Sequence, residues 1–303
     1  EGATRLATLL TGEVHVADID RASHREAESR GMKIVNTSGP ALAHRWHWGG
    51  MWWTEPDKMD PKNPMLNPKV RWAMNKAVNR EAIAEALLGG VDKVRIPWIY
   101  GYDRGFTDAT WPGAYNPKWD QDWDEYYGYD PERAKQLLAE AGYPDGFEFT
   151  MYIYPLAGLP ESVDIGQAMA LDFESIGLKP KMVGTEYGRV KKWRRSQDPG
   201  LNNSLMHVRA QTQANRLLDG YRTKSSNHIF QTSRIDELAE LVDATVDKSE
   251  RSKLFRELGD ISFYDHAILQ MFGVHGQVAV NPAVVSEYIF PGPVSGVLSH
   301  LEY

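Results

Sequence analysis

Cysteine is absent from the 303 residues. That excludes disulfides and thiolate chemistry, but it leaves the compartment open, because cysteine-free chains occur on both sides of a membrane. Also missing is any apolar run near the roughly 18 residues that a bilayer-crossing helix needs. Positive charge is in deficit: 34 Lys and Arg stand against 41 Asp and Glu, a formal net charge of −7. Such a balance favours solubility and gives no support to nucleic-acid binding. No GxSxG, HExxH, GxGxxG or phosphate-loop pattern occurs, so the chain reads as non-enzymatic and calls for no cofactor. Acids beside aromatic residues (Glu55, Asp57, Asp108, Asp124) could imitate a glycoside-active enzyme, the alternative from another class. That chemistry needs two carboxylates facing each other across the substrate.

What is present is an ordinary globular composition, 42% apolar and 25% charged, with an unusual stock of 10 Trp and 14 Tyr. The length suffices for one large domain or two smaller ones. Glu1 to Leu10 has helical spacing closed by Gly12, and the following EVHVADI alternates as a strand. Arg21 to Arg30 reads as a short helix and Met32 to Asn36 as a strand. In HRWHWGGMWW (44–53), period two places Trp46, Trp48 and Trp52 on one face of a strand. Those rings either fill a core or interlobe seam, or offer a stacking platform for a sugar or planar ligand. Asn67–Pro68 and Asn79 cap two short helices that stop at Gly89–Gly90. Residues 91–130 read as a long irregular segment rich in rings, among them Trp98, Tyr100 and Trp111. A loop of this length is either stitched to its own lobe or functional. Asp120, Asp122 and Asp124 fail the calcium-loop pattern, since Glu125 replaces its glycine and Pro131 its closing glutamate. His44 and His47, three apart, do not build a metal site.

Asp130–Pro131 opens another helix; a strand, a helix from Pro160 to Ile176 and a further strand then make a βαβ unit, which implies a parallel sheet. YGRVKKWRR (187–195) gathers five cations around Trp193, read as a solvated helical face or as a surface for an acidic partner. A polar stretch with His207 and Arg209 follows, then helices over Ile235–Val246 and after Lys248, and a strand from Ala267 to Phe272.

The wording of two helices is more specific than their periodicity. VRWAMNKAVNREAIAEALLGG, ending at Gly90, resembles the "vRxAxnxAxdRexIxxxxLxG" signature of family 5 extracellular solute-binding proteins. DPERAKQLLAEAGYPDG, from Asp130, resembles that family's "DPxxAxxLLxEAGyxdG", and Ile235 to Phe272 carries a looser likeness. These proteins are the receptors of ABC importers for dipeptides, oligopeptides, nickel and oligosaccharides. The resemblance implies an α/β, periplasmic-binding-protein-like (type II) C-terminal lobe, a mixed sheet covered by helices. Residues 1–43 would be a first-lobe remnant approaching the hinge, 44–272 the ligand-binding lobe and 273–303 a return segment. Relatives are longer, and the chain opens at Glu1 without methionine or signal peptide, so a processed or truncated C-terminal portion is expected.

By the same resemblance the protein is an extracytoplasmic, monomeric receptor that hands a solute to a membrane permease, and alone it binds weakly or not at all. Peptide-binding relatives carry a "WxxDxxDP" arrangement that is missing between Leu205 and Ile229. Amides, arginine and indoles suit a polyhydroxylated ligand, so an oligosaccharide is expected ahead of a peptide. The expected ligand-binding residues are Trp46, Trp48, Trp52, Trp98, Tyr100, Trp111, His207 and Arg209. A module that has lost ligand binding is the remaining alternative.

Overall fold

The computed structural model describes residues 2–53, 55–89, 111–156, 158–210, 221–223 and 228–290. Helix α1 (Gly2–Leu10) ends at Gly12, whose φ of 77° suits glycine. Strand β1 is only Val16–Ala17, shorter than the alternation of EVHVADI predicts. Helix α2 (His24–Ser29) leads into β2 (Lys33–Trp48), one strand of 16 residues where the Gly39–Pro40 punctuation suggests two. Pairing overrides that punctuation: the Thr37 hydroxyl accepts a bond from the Gly276 amide. At its other end β2 stops before the predicted Trp53, because Gly49 and Gly50 (φ 81°) turn the chain.

Helices α3 (Pro68–Ala77) and α4 (Arg80–Leu88) form the expected pair, their first turns capped by the side chains of Asn67 and Asn79. Helix α5 (Lys118–Tyr127) lies inside the stretch read as irregular; Trp119, Trp123 and Tyr127, four apart, are its missed signal. Helix α6 (Pro131–Glu140) is capped by Asp130, which accepts from the Arg133 amide at 2.9 Å. Then follow β3 (Glu148–Ile153), α7 (Ser162–Ser175), β4 (Lys179–Gly184) and α8 (Tyr187–Arg195). Strand β5 (Ser204–Ala210) occupies the start of the polar stretch, where no strand is predicted. Helices α9 (Ser233–Ala244) and α10 (Lys248–Tyr264) precede β6 (Leu269–Val280).

The chain divides into two compact units, Glu1–Leu42 with Gly273–Tyr303, and Ala43–Phe272. It passes between them within β2 and within β6. In the smaller unit β6 lies between β1 and β2, and Leu6, Leu9, Ala17, Ile19, Ala27 and Ala279 form the core.

In the larger unit the strand order is β2-β5-β3-β4. Strand β3 is parallel to both β4 and β5, and β2 is antiparallel to β5. Helix α7 covers the face that carries Phe149, Met151 and Ile153: the Phe149 and Phe173 rings meet at 5.5 Å. Helix α8 covers the opposite face, where Trp193 meets Tyr152 at 5.4 Å. The two crossovers after β3 and β4 therefore leave on opposite sides of the sheet, which makes β3/β5 a topological switch point.

Two buried arginines of the α3–α4 pair bind its neighbours. Arg71 donates to the Asp265 carbonyl through Nε (2.9 Å) and Nη2 (2.7 Å), and through Nη1 to Met65 and Leu66. Arg80 donates to the carbonyls of Gln270 (2.6 Å), Asn75 (2.8 Å) and Tyr127 (3.0 Å), and to Asn75 Oδ1. Burial lowers both guanidinium pKa values to about 10, so both stay charged at neutral pH.

Candidate functional site

In open α/β sheets ligands bind outside the carboxyl ends of the strands, beside the switch point. A hollow of about 460 Å³ lies there, within the size range of small-molecule sites. Its wall is built by Ile153, Tyr154 and Pro155 at the end of β3, Val163 on α7, and Gly184, Thr185, Glu186 and Arg189 where β4 runs into α8. Most of this wall is apolar, yet it carries one carboxylate and one guanidinium three residues apart. Neither charge forms an ion pair among the described residues, and the Arg189 guanidinium lies over the Trp193 ring, 6.0 Å from its centroid. Glu186 and Arg189 are both exposed, open to a solute.

Behind the hollow the ends of β3 and β5 are locked by Tyr154 and His207. The Tyr154 amide donates to His207 Nε2 at 3.0 Å, and the Tyr154 hydroxyl donates to the His207 carbonyl. Accepting through Nε2 fixes the neutral tautomer with the proton on Nδ1. Burial pushes His207 down to about 3 and Tyr154 well above the phenol range. Trp46 pairs with His207 across β2 and β5, and their rings stack at 4.7 Å. His44 adjoins the same stack at 5.7 Å from His207 and 5.8 Å from Phe272, and neither of its ring nitrogens has a hydrogen-bond partner. On the other face of β2, His47 Nδ1 lies 3.4 Å from the buried Arg194 guanidinium of α8. Burial, then Arg45 and Arg194, hold His47 neutral.

The expected binding residues fall into three groups. Trp46, Trp48 and Trp52 are fully buried, so their faces are covered by protein and form no stacking platform. Gly166 of α7 lets the helix approach the Trp46 ring, where a Cβ would sit 3.2 Å away. Trp48 Nε1 donates to the His266 carbonyl at 2.7 Å, and Trp52 lies beyond the Gly49–Gly50 turn. Trp111 rests on α10, its ring 4.8 Å from Phe255 and within 5.9 Å of the Lys248 and Arg251 cations. Among those described, His207 alone adjoins the hollow, through Tyr154. Trp98 and Tyr100 lie outside the described residues, as does the side chain of Arg209. Sequence reading missed Tyr154, Glu186 and Arg189. Their signal was positional: each follows, within a few residues, a strand of the legible βαβ unit. Among the described residues no three His, Asp or Glu side chains gather to hold a metal.

Comparison with known proteins places this geometry. Residues 1–213 match the family described as bacterial extracellular solute-binding proteins, family 5 Middle. The heme-binding protein A of Haemophilus influenzae is 31% identical over 208 residues, 65% of this chain and 34% of that protein. The dipeptide-binding protein of Escherichia coli is 30% identical over 137 residues, 43% of this chain and 22% of that protein. The solved structure of the oligopeptide-binding protein AppA from Bacillus subtilis, in complex with a nonapeptide, matches with a TM-score of 0.69 at 17% identity. That likeness covers 100% of this chain and 58% of the other, and it is one of fold. The chain thus spans about a third or less of the two sequence relatives, and all three proteins are named for binding. With 213 of its 303 residues matched, this chain belongs to the family 5 bacterial extracellular solute-binding proteins.

Proposed function

We propose that this chain is the solute-binding part of an extracytoplasmic ABC-importer receptor, and that its solute is a short peptide. The observation that carries the ligand class is the hollow at the strand ends. Its apolar wall with one carboxylate, Glu186, and one guanidinium, Arg189, neither of them in an ion pair among the described residues, complements a zwitterion that also has apolar side chains. A peptide's terminal ammonium and carboxylate need one partner of each sign, whereas a neutral oligosaccharide needs neither. The buried state of Trp46, Trp48 and Trp52 removes the main reason to expect a sugar, and the E. coli relative is named for dipeptides. Delivery to a permease follows from the receptor role, in which solute binding shifts the population towards a closed form.

Titration calorimetry of the receptor that contains this chain, against di- and tripeptides, oligosaccharides and heme, tests the reading. Saturable heat with peptides is expected. Blocking the peptide's amino terminus by acetylation should weaken binding in the parent far more than in Glu186→Gln, and amidating the carboxyl terminus should do the same for Arg189→Gln. Each lost charged contact should cost about 1.5–3 kcal/mol of affinity. Binding of sugars or heme with indifference to both substitutions would overturn the peptide assignment.

A further inference from the structure

Strand β4 is the outer strand of the larger unit's sheet. In register, Lys179, Lys181 and Val183 lie opposite Glu148, Thr150 and Tyr152, and Tyr152 packs against Trp193 of α8. The two lysines therefore point to the side of the sheet that α8 covers, where Arg189, Lys191, Lys192 and Arg195 emerge. None of these six cations has a carboxylate partner among the described residues. Elsewhere many surface cations are matched, as Arg5 is with Asp18, Lys69 and Arg133 with Glu140, and Arg234 with Glu257, and the unmatched ones, such as Lys33, Lys62 and Lys118, are scattered along the chain. The acids near this face are Glu148, opposite Lys179, Glu186 ahead of α8, and Asp198, whose carboxylate caps the Gly200 amide at 2.9 Å.

The helix dipole accounts for only part of this. Lys192 and Arg195 lie in the last turn of α8, where cations are favoured, but Arg189 lies in the first turn, where they are not. The strand lysines gain nothing from it. In a chain of net charge −7, an unneutralised basic face this broad implies an anionic partner.

We propose that the β4–α8 face docks this protein on an anionic phospholipid surface. Lys191, Lys192 and Arg195, with Gly188 and Ser196, line a shallow hollow of about 440 Å³, open enough to receive a headgroup phosphate. Beside it stand Tyr187, 41% exposed, and the half-buried Trp193, rings of the kind that settle at headgroup depth. A protein partner would call for an apolar centre with charges at the rim; here the charges occupy the centre. No described helix is long and apolar enough to cross a membrane. The contact proposed for this face is electrostatic, made by its lysines and arginines with anionic headgroups.

The test is co-sedimentation of the whole chain with vesicles of phosphatidylcholine alone or with about one-third phosphatidylglycerol. Partition into the anionic vesicles only, released by about 0.5 M salt, is expected. The triple reversal Lys181→Glu, Lys192→Glu, Arg195→Glu should lower that partition by at least about tenfold. The charge-keeping set Lys181→Arg, Lys192→Arg should bind as the parent does. None of these residues lines the hollow at the strand ends, so peptide binding should be unchanged and the two proposals fail separately. Equal partition into neutral vesicles, or undiminished binding by the reversed variant, overturns the proposal. So does absence from anionic vesicles, including the case where polyglutamate captures the parent but not the reversed variant, which would assign the face to an acidic protein.

Discussion

Gly49 shows how a single hydrogen atom can decide a position. A Cβ on this residue would lie 1.8 Å from the Leu201 carbonyl oxygen, a backbone atom that no rotamer change can move aside. The Gly49 amide donates to the Ser204 carbonyl at 2.8 Å, so the close approach joins the end of β2 to the start of β5. Gly49→Ala should therefore cost at least the roughly 1–3 kcal/mol typical of overpacking. A Cβ added to Gly188 of α8 would meet nothing within 4 Å, and the backbone there is ordinary helix, so Gly188→Ala should gain up to about 1 kcal/mol. Urea midpoints of the two variants check the pair, and a Gly49→Ala protein as stable as the parent would mean that the backbone yields at this close approach. Single residues were also the hardest scale to read from sequence. Period two placed Trp46 and Trp48 correctly on one face, but alternation says nothing of which face meets solvent. Burial came from α7, whose Gly166 brings it against Trp46, and nothing in HRWHW announces that helix.

At the scale of elements, the wording that resembles the family signature turns out to describe hydrogen bonding. Arg71, Asn75 and Arg80 of that signature are the residues that tie α3 and α4 to the end of α10, to β6 and to the end of α5. Arg80→Met should cost roughly 3 kcal/mol or more, because several buried carbonyls lose their donor at once. Arg80→Lys keeps a charge but replaces a planar fork by a compact ammonium that cannot reach three directions, and should also destabilise. Chemical denaturation measures both; a neutral Arg80→Met would show that the carbonyls find other donors. Helices α3, α4 and α6 were legible by a cap and an apolar stripe, α4 and α6 by a glycine stop as well, and α9 and α10 by their apolar stripes without such a stop. Helix α5 was concealed by its aromatic neighbours, although the Asn116 side chain accepts from the Lys118 amide at its start (3.1 Å), and β5 was concealed by polar residues that pairing with β2 and β3 buries. The hollow was legible only indirectly: the βαβ order predicted where strands end, but Glu186 and Arg189 become a pair of opposite charges only when β4 turns into α8.

For the whole molecule, the buried histidines set a dependence on pH. Burial, then the neighbouring His207, holds His44 well below its ordinary value; burial, then Arg71, Arg80 and Lys76, does so for His266. His47 is held down in the same way by burial and two arginines, and His207 is pushed to about 3. In the unfolded chain all four take a proton near pH 6.5. Their folded pKa values are depressed, so the unfolded state binds more protons below that pH, and stability present above it is lost as pH falls towards 3. Asp18, Asp172 and Asp265, raised chiefly by burial, act in the opposite direction, but from a starting value of 3.8 and therefore mainly at lower pH. Between about pH 7 and 5 the histidines dominate, each contributing up to about 1.4 kcal/mol per pH unit below 6.5. Urea unfolding should accordingly show a clear drop in midpoint over that interval. His44→Leu isolates one contribution. It removes two ring nitrogens that have no partner, so it should be neutral or stabilising at neutral pH, and it should reduce the proton uptake on unfolding by about one. A midpoint that stays level across the interval, or a His44→Leu protein with the parent's full pH slope, would mean that these histidines find protons or partners in the folded state. The neutral Tyr154–His207 lock behind the hollow would then have to be redrawn as well.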